Sequence, residues 1–362
     1  MAGRAMSGPV DGRRVIVFVG AGGAGKTTLS AATAVRAARA GRRVACLTID
    51  PARRLAESLG VAPEADRGAL QEITDRLGPG VAPGGRLSFG MLDPKGVFDR
   101  FVTERASTPE KARRILGNKL YRYVSGSLSG MQEYMALEKL CELRNDPAVD
   151  LIVLDTPPTA NAIDFFTAPR RMIDALDGPM IRVMRRAYGA PGHFGLDLVG
   201  RWARASLRAI SKVIGGELLE EVMGFVDALS DLFGSFSERA SSVEQVLHGR
   251  DVAFHLVTTP DKATMRETRE FRQRLHSLGL AVSIVVFNRC HAPRAAAIPE
   301  SAPHAPEIAA LNAEWDAAFE RERARIEEVR EGWDGLDGIR VVPLIPDSAT
   351  RLEALDAIAR HL

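Results

Sequence analysis

The segment Val15–Ala40 constrains this chain more than any other, because it sets a glycine-rich loop between a buried-strand pattern and a helix. Val15-Ile16-Val17-Phe18-Val19 is apolar and β-branched, as a strand covered on both faces must be. Gly20-Ala21-Gly22-Gly23-Ala24-Gly25-Lys26-Thr27-Thr28 follows, and its first eight residues fit G-x-x-x-x-G-K-[ST]. A helix-forming stretch then runs from Thr27 to Ala40 and stops at Gly41. Glycines let such a loop wrap a phosphate with its N–H groups inward, and the helix start adds a positive dipole end at the same point. Lys26 is placed to reach β- and γ-phosphates, Thr27 to set its hydroxyl on Mg²⁺, and Thr28 to touch the α-phosphate. A glycine-rich turn with no ligand is the competing reading, and the flanking strand and helix weigh against it.

The strand pattern returns at Val44 to Ile49, Leu87 to Leu92, Leu151 to Leu154, Val252 to Val257, Val282 to Phe287 and Ile339 to Leu344, mostly with helical stretches between. Continuous apolar strands of this kind predict an α/β fold, a doubly wound and mostly parallel sheet flanked by helices. From Pro169 to Leu247 the spacing is helical throughout. Leu218, Val222, Phe225, Leu229, Leu232 and Phe236 form one apolar row, with Leu219, Val226 and Phe233 in a second row beside it. The predicted organisation is a nucleotide-binding domain from residues 1–168 and 248–362, with 169–247 as an inserted helical subdomain. Arg294 to Pro306, rich in Ala and Pro, reads as a surface loop.

Two carboxylates end strands of this sheet. Asp155 closes Leu151-Ile152-Val153-Leu154, the arrangement a second contact to Mg²⁺ requires, and Thr156-Pro157-Pro158-Thr159 follows as a stiff loop. Asp50 closes Thr48-Ile49 and should face the same crevice, since ligands of open α/β sheets bind outside the carboxyl ends of strands. A carboxylate there can orient or deprotonate water. Asp50 before Pro51 is also good helix-capping chemistry, and both readings stand on the residues alone.

Composition narrows the setting. A net charge of +2 gives no cause to expect a nucleic-acid partner. Cys46, Cys141 and Cys290 form no CxxC pair and are too few for a disulfide framework, which points to a reducing compartment and a cytoplasmic protein. Met1 to Gly12 lacks the apolar core of a signal peptide, and no apolar run is long enough for an integral membrane segment.

Taken together, the loop Gly20–Thr28, Thr48-Ile49-Asp50-Pro51-Ala52, Asp155-Thr156-Pro157-Pro158-Thr159, Asn288 after a strand and Pro343-Leu344-Ile345-Pro346 resemble the ArsA/Get family of ATPases. That resemblance implies ATP and Mg²⁺ as ligands. It makes Asp50 the carboxylate that activates water and Asp155 to Thr159 the second switch. It also makes Asn288 the residue that reads adenine, and Pro343 to Pro346 the loop that closes over the base. With one phosphate loop per chain, it implies a homodimer, or a heterodimer with a related ATPase chain. The helical block falls where the family inserts its client-binding subdomain, so a hydrophobic helical client is a further implied partner.

Three departures from the family pattern matter. Ala21 stands where members commonly carry a lysine that crosses to the partner's phosphates, with Arg13, Arg14, Arg53 or Arg54, or a lysine from a different partner chain, as the replacement. Asp50-Pro51-Ala52-Arg53-Arg54 lacks the usual histidine after alanine, and the zinc-binding CxxC is missing. The function expected is an Mg²⁺-dependent ATPase that couples ATP binding and hydrolysis to conformational change of a dimer. The alternative is a nucleotide-gated carrier of hydrophobic segments. A positioning ATPase of the ParA/MinD kind is weakened by the helical insertion and by a C-terminal stretch, Ser348 to Leu362, that is neither long nor strongly basic. An arsenite-pump subunit would need clustered thiolates for a soft metalloid.

Overall fold

The computed structural model describes residues 12–49, 54–61, 69–118, 121, 130–176, 178, 232–293, 304–345 and 351–362. Its strands are β1 (Val15–Gly20), β2 (Arg43–Thr48), β3 (Gln71–Glu72), β4 (Arg86–Met91), β5 (Leu151–Asp155), β6 (Val252–Thr258), β7 (Val282–Cys290) and β8 (Gly338–Pro343). Its helices are α1 (Lys26–Arg39), α2 (Arg54–Ser58), α3 (Pro94–Arg105), α4 (Pro109–Gly117), α5 (Met131–Asn145), α6 (Thr159–Leu176), α7 (Phe233–Leu247), α8 (Lys262–Ser277), α9 (Ala305–Gly332) and α10 (Arg351–Ala359). By contacts the chain divides into two compact units. One holds Met1–Leu92, Leu143–Ile163 and His248–Leu362, and the other holds Asp93–Glu142 and Asp164–Leu247.

The first unit is built on an eight-stranded sheet of order β3-β4-β2-β5-β1-β6-β7-β8. Every pairing is parallel except that of β3 with β4. Both faces of β1 are dry: Ile16 and Phe18 lie in the cluster that includes α1 and α10, while Val15, Val17 and Val19 are as fully buried on the opposite face. The crossover after β1 runs to β2 on one side of it, whereas the later one from β5 passes β1 to reach β6 on the other, so the winding reverses at β1 and a crevice opens at its carboxyl end.

Helix α1 covers that centre with small side chains. Ala31, Ala32, Ala34, Ala37 and Ala38 are buried, which lets its axis approach the sheet closely. It ends as its sequence demands. Gly41 takes φ of 96°, its N–H reaches Ala38 O and that of Arg42 reaches Ala37 O, a Schellman closure of the last turn.

A layer of cations ties the amino ends of the strands. Arg43 forms a forked pair with Asp150 and Arg144 another with Asp251. Arg14 donates to the carbonyls of Arg144 and Val149, and Arg42 to those of Arg13 and Asp150. The Arg43 guanidinium holds the Asp150 carboxyl well below the usual carboxylate range, at about 2.

Each strand read from the sequence is present, with ends within one or two residues except that β7 runs three residues beyond Phe287, to Cys290. Two helical features differ from expectation. Pro169 does not open the helical block but lies inside α6, which starts at Thr159. Pro306 belongs not to a loop but to the first turn of α9, where a missing N–H costs nothing. Of the apolar rows, Leu232 and Phe236 are buried, whereas Leu218, Leu219, Val222, Phe225, Val226, Leu229 and the Phe233 side chain fall outside the described part. No helix among the described residues is long and apolar enough to cross a membrane.

Candidate functional site

The loop between β1 and α1 has the backbone its glycines predict. Gly20, Gly23 and Gly25 adopt φ of 141°, 75° and 99°, values disfavoured for residues with a side chain. Two of them are also sterically obligatory. A Cβ on Gly20 would meet Val257 O at 2.1 Å, and one on Gly25 would meet Asn288 Nδ2 at 2.1 Å. Gly22 and Gly23 are exposed, whereas Ala21 and Ala24 face the core.

Helix α1 begins with no side-chain cap and no acid in its first turn. Its leading N–H groups are therefore left for a ligand, and the partial positive charge there suits an anion. The Lys26 ammonium folds back over the loop and donates to Gly20 O at 2.8 Å and Ala21 O at 3.0 Å. Only 7% of this lysine is exposed. Carbonyl dipoles thus hold the cation directly at the cradle. Thr28 is half-buried in the same helical turn.

Strand β5 supplies the acid. The register of β1 with β5 sets Phe18 beside Asp155, two residues before the loop opens. Asp155 is 2% exposed, and its Oδ2 accepts a 2.8 Å hydrogen bond from Thr27 Oγ1. A hydroxyl and a carboxylate in contact at the mouth of a glycine loop are the oxygen donors a hard divalent cation uses. The segment after Asp155 is anchored as well. Thr156 donates to Phe18 O at 2.7 Å, and Thr159, at the start of α6, donates to Glu267 of α8.

Asn288 reaches the loop from β7. Its Nδ2 donates to Ala24 O at 2.8 Å, and the residue is 7% exposed. Sequence reasoning placed Asn288 near the base and did not foresee this direct tie to the loop backbone, which only the strand order reveals. Pro343 ends β8, and the next residue, Leu344, donates its N–H to Cys290 O at 2.9 Å, joining the loop after β8 to the end of β7. Asp50, Arg53 and Pro346 lie outside the described residues.

Ala21 and two of its possible replacements are not where a crossing cation would have to be. Ala21 is 1% exposed, so its methyl group faces the core rather than a second molecule. Arg13 pairs with Asp337 and donates to Arg250 O, and Arg14 bonds the strand-start carbonyls described above. Both precede β1, whose six residues span about 20 Å at the usual strand rise, and so occupy the end of the sheet remote from the loop. Arg54 is exposed at the start of α2, the first helix after β2.

The cysteines offer no metal centre. Cys46 and Cys290 are buried, and burial pushes the Cys290 thiol up to about 12, which keeps it protonated. Among the described residues no group of three His, Cys, Asp or Glu could hold a metal ion.

Comparison with known proteins agrees with this geometry. The family model for anion-transporting ATPases of the ArsA type matches residues 13–362. A putative arsenical pump-driving ATPase of Aquifex aeolicus is 24% identical over 96% of this chain and 78% of its own length. The protein Rv2184c of Mycobacterium tuberculosis is 30% identical over 78% of this chain, which spans only 60% of that protein. An ATPase get3 of Pyrenophora tritici-repentis is 23% identical over 77% of this chain and 74% of its own.

Proposed function

This chain belongs to the ArsA-type anion-transporting ATPase family and is an ATP hydrolase, and we propose that it hydrolyses Mg²⁺-bound ATP at the loop Gly20–Thr28 and couples that cycle to conformational change of a dimer. The contact between Thr27 and Asp155 is the observation that carries the site, because it brings the expected cation donors together at the uncapped end of α1.

In this reading the amides of Gly22 to Thr28 cradle the phosphates, and Lys26 exchanges its loop carbonyls for phosphate oxygens. Thr27 and, through water, Asp155 hold the cation. When bound, Mg²⁺ neutralises charge on the β- and γ-phosphate oxygens. Asp50, by its place after β2, orients the attacking water. Asn288 fixes the loop from the β7 side, next to where the resemblance puts adenine, with Pro343 and Pro346 flanking the base. Dimerisation is supported by the likeness to the family and by the single phosphate loop, and it is compatible with either a second copy or a related chain. Residues 169–247 are assigned as the inserted helical part. A carrier of hydrophobic segments is the second reading; Leu232 and Phe236, the described end of the long apolar row, are buried within their own unit, and the side chains of the second row, Leu219, Val226 and Phe233, lie outside the described part.

Lys26→Ala tests the site. Phosphate release should fall by at least about a hundredfold, because no other residue of the loop can balance phosphate charge. Turnover near that of the unaltered protein would defeat the assignment. Native mass measured with and without ATP tests the coupling, and a mass that ignores ATP would defeat it.

A further inference from the structure

The ladder between β7 and β8 slips by one residue at the level of the phosphate loop. Phe287 pairs with Val341 and Cys290 with Pro343, so Asn288 and Arg289 together stand opposite Val342. A bulge of this kind sets two residues against one and re-aims their side chains. Val342 belongs to the buried cluster on the α1 face of the sheet. Asn288 lies on that face too, since its amide reaches Ala24. Strict alternation would send Arg289 to the opposite face, that of Phe287. With the extra residue, Arg289 instead shares with Asn288 the position opposite Val342.

The backbone adopts this placement against local preference. Arg289 has φ of 59°, a left-handed conformation that long side chains disfavour and glycine accepts freely. Its side chain is exposed, and among the described residues no carboxylate pairs with it. The flanking residues are fixed on either side: Asn288 to Ala24 of the loop, and Cys290 to Leu344, whose side chain is 54% exposed. An unpaired guanidinium and an exposed aliphatic side chain thus share the carboxyl edge of β7 and β8. Two strand spacings separate β7 from β1, about 10 Å, which is the reach of a ribose and base from their phosphates.

We propose that Arg289 is a nucleoside-binding residue, its guanidinium plane lying against the face of the base of a nucleotide whose phosphates occupy the loop Gly20–Thr28. The inference rests on that phosphate-site reading and extends it to a residue outside the loop. A planar guanidinium stacks on aromatic faces, and a lysine ammonium does not reproduce the plane. Purine nucleotides, with the larger ring system, are therefore the favoured class.

The test measures binding of ATP, CTP and inorganic tripolyphosphate by calorimetry, with melting temperature recorded for each variant. Arg289→Gly should weaken ATP about tenfold and tripolyphosphate less than about twofold. Its melting temperature should hold, since glycine suits φ of 59°. Arg289→Lys should lose the preference for ATP over CTP while keeping the charge. Unchanged ATP affinity in Arg289→Gly overturns the proposal, and so does an equal loss of tripolyphosphate, which would move the contact to phosphate. Failure of the unaltered protein to bind tripolyphosphate or ATP would instead remove the phosphate site itself, and the proposal with it.

Discussion

Thr27 Oγ1 donates a 2.8 Å hydrogen bond to Asp155 Oδ2 across 128 residues of chain. The parallel register of β1 and β5 makes this meeting unavoidable, because Asp155 lies beside Phe18 and the loop returns over it at the first turn of α1. A buried carboxylate in this position keeps the threonine hydroxyl aimed into the crevice and adds negative charge beside it.

Asp155→Asn preserves the shape of that contact and removes the charge. Hydrolysis should become dependent on a higher Mg²⁺ concentration, by about tenfold or more, while binding of nucleotide without metal is kept. A titration of turnover against Mg²⁺ checks this. A curve that overlays that of the unaltered protein would remove Asp155 from the cation site.

Ala21→Lys separates surface from core at the loop. With Ala21 1% exposed, the new ammonium either lies buried without a partner or forces the loop open, at a cost of several kcal/mol. Melting temperature should fall by several degrees, and ATP-dependent dimerisation should not improve. A variant as stable as its parent would show that position 21 reaches the surface after all.

The legible parts of the chain were those with a fixed physical period. Parallel strands buried on both faces appear as unbroken apolar runs, so β1, β5 and β6 are plain in the sequence. The pair Gln71–Glu72 is not, being two exposed polar residues whose only signal is an antiparallel partner. Helix α9 has 28 residues with only Ile326 and Val329 buried, too few for an apolar stripe to announce it. At the site, loop and strand-end acid follow from spacing. The remote position of Arg13 and Arg14 could have been read from the length of β1. The burial of Ala21 between glycines and the bulge at Asn288–Arg289 depend on neighbouring strands and leave no local mark.

His255 should make the first unit sensitive to mild acid. It is 3% exposed on β6, packs edge-on against Phe18 at 5.2 Å, and lines a small cavity with Thr33, Arg36 and Arg340. Burial first, then the charges of Arg340 and Arg13, lowers its pKa from 6.5 to about 3. The unfolded chain takes up a proton near pH 6.5 and the folded one does not. Stability from this group is therefore complete above pH 6.5 and is lost as pH falls from there toward 3, by roughly 1.4 kcal/mol per unit. Denaturant titrations at pH 7 and pH 5 should show a smaller difference for His255→Leu than for its parent. An equal difference would mean that the imidazole is protonated in the folded state.

The last prediction concerns the second unit, where an apolar row can serve either as core or as a docking face. Phe236 of α7 is 3% exposed. Its ring centroid lies 4.1 Å from that of Phe101, 5.6 Å from Phe98 and 6.4 Å from Tyr134, all within the same unit. One turn away, Arg239 pairs with the buried carboxylate of Glu138, which also accepts from the Tyr134 hydroxyl at 3.2 Å. A ring surrounded in this way is core. Phe236→Ala should cost about 3–5 kcal/mol through lost burial and the cavity left behind. Melting temperature should fall accordingly, while calorimetric binding of tripolyphosphate, which depends on the glycine loop in the other unit, stays unchanged at temperatures where the variant is folded. A variant that melts with its parent but fails to capture a hydrophobic-helix peptide would reverse this assignment, since only an exposed ring can be removed without loss of stability.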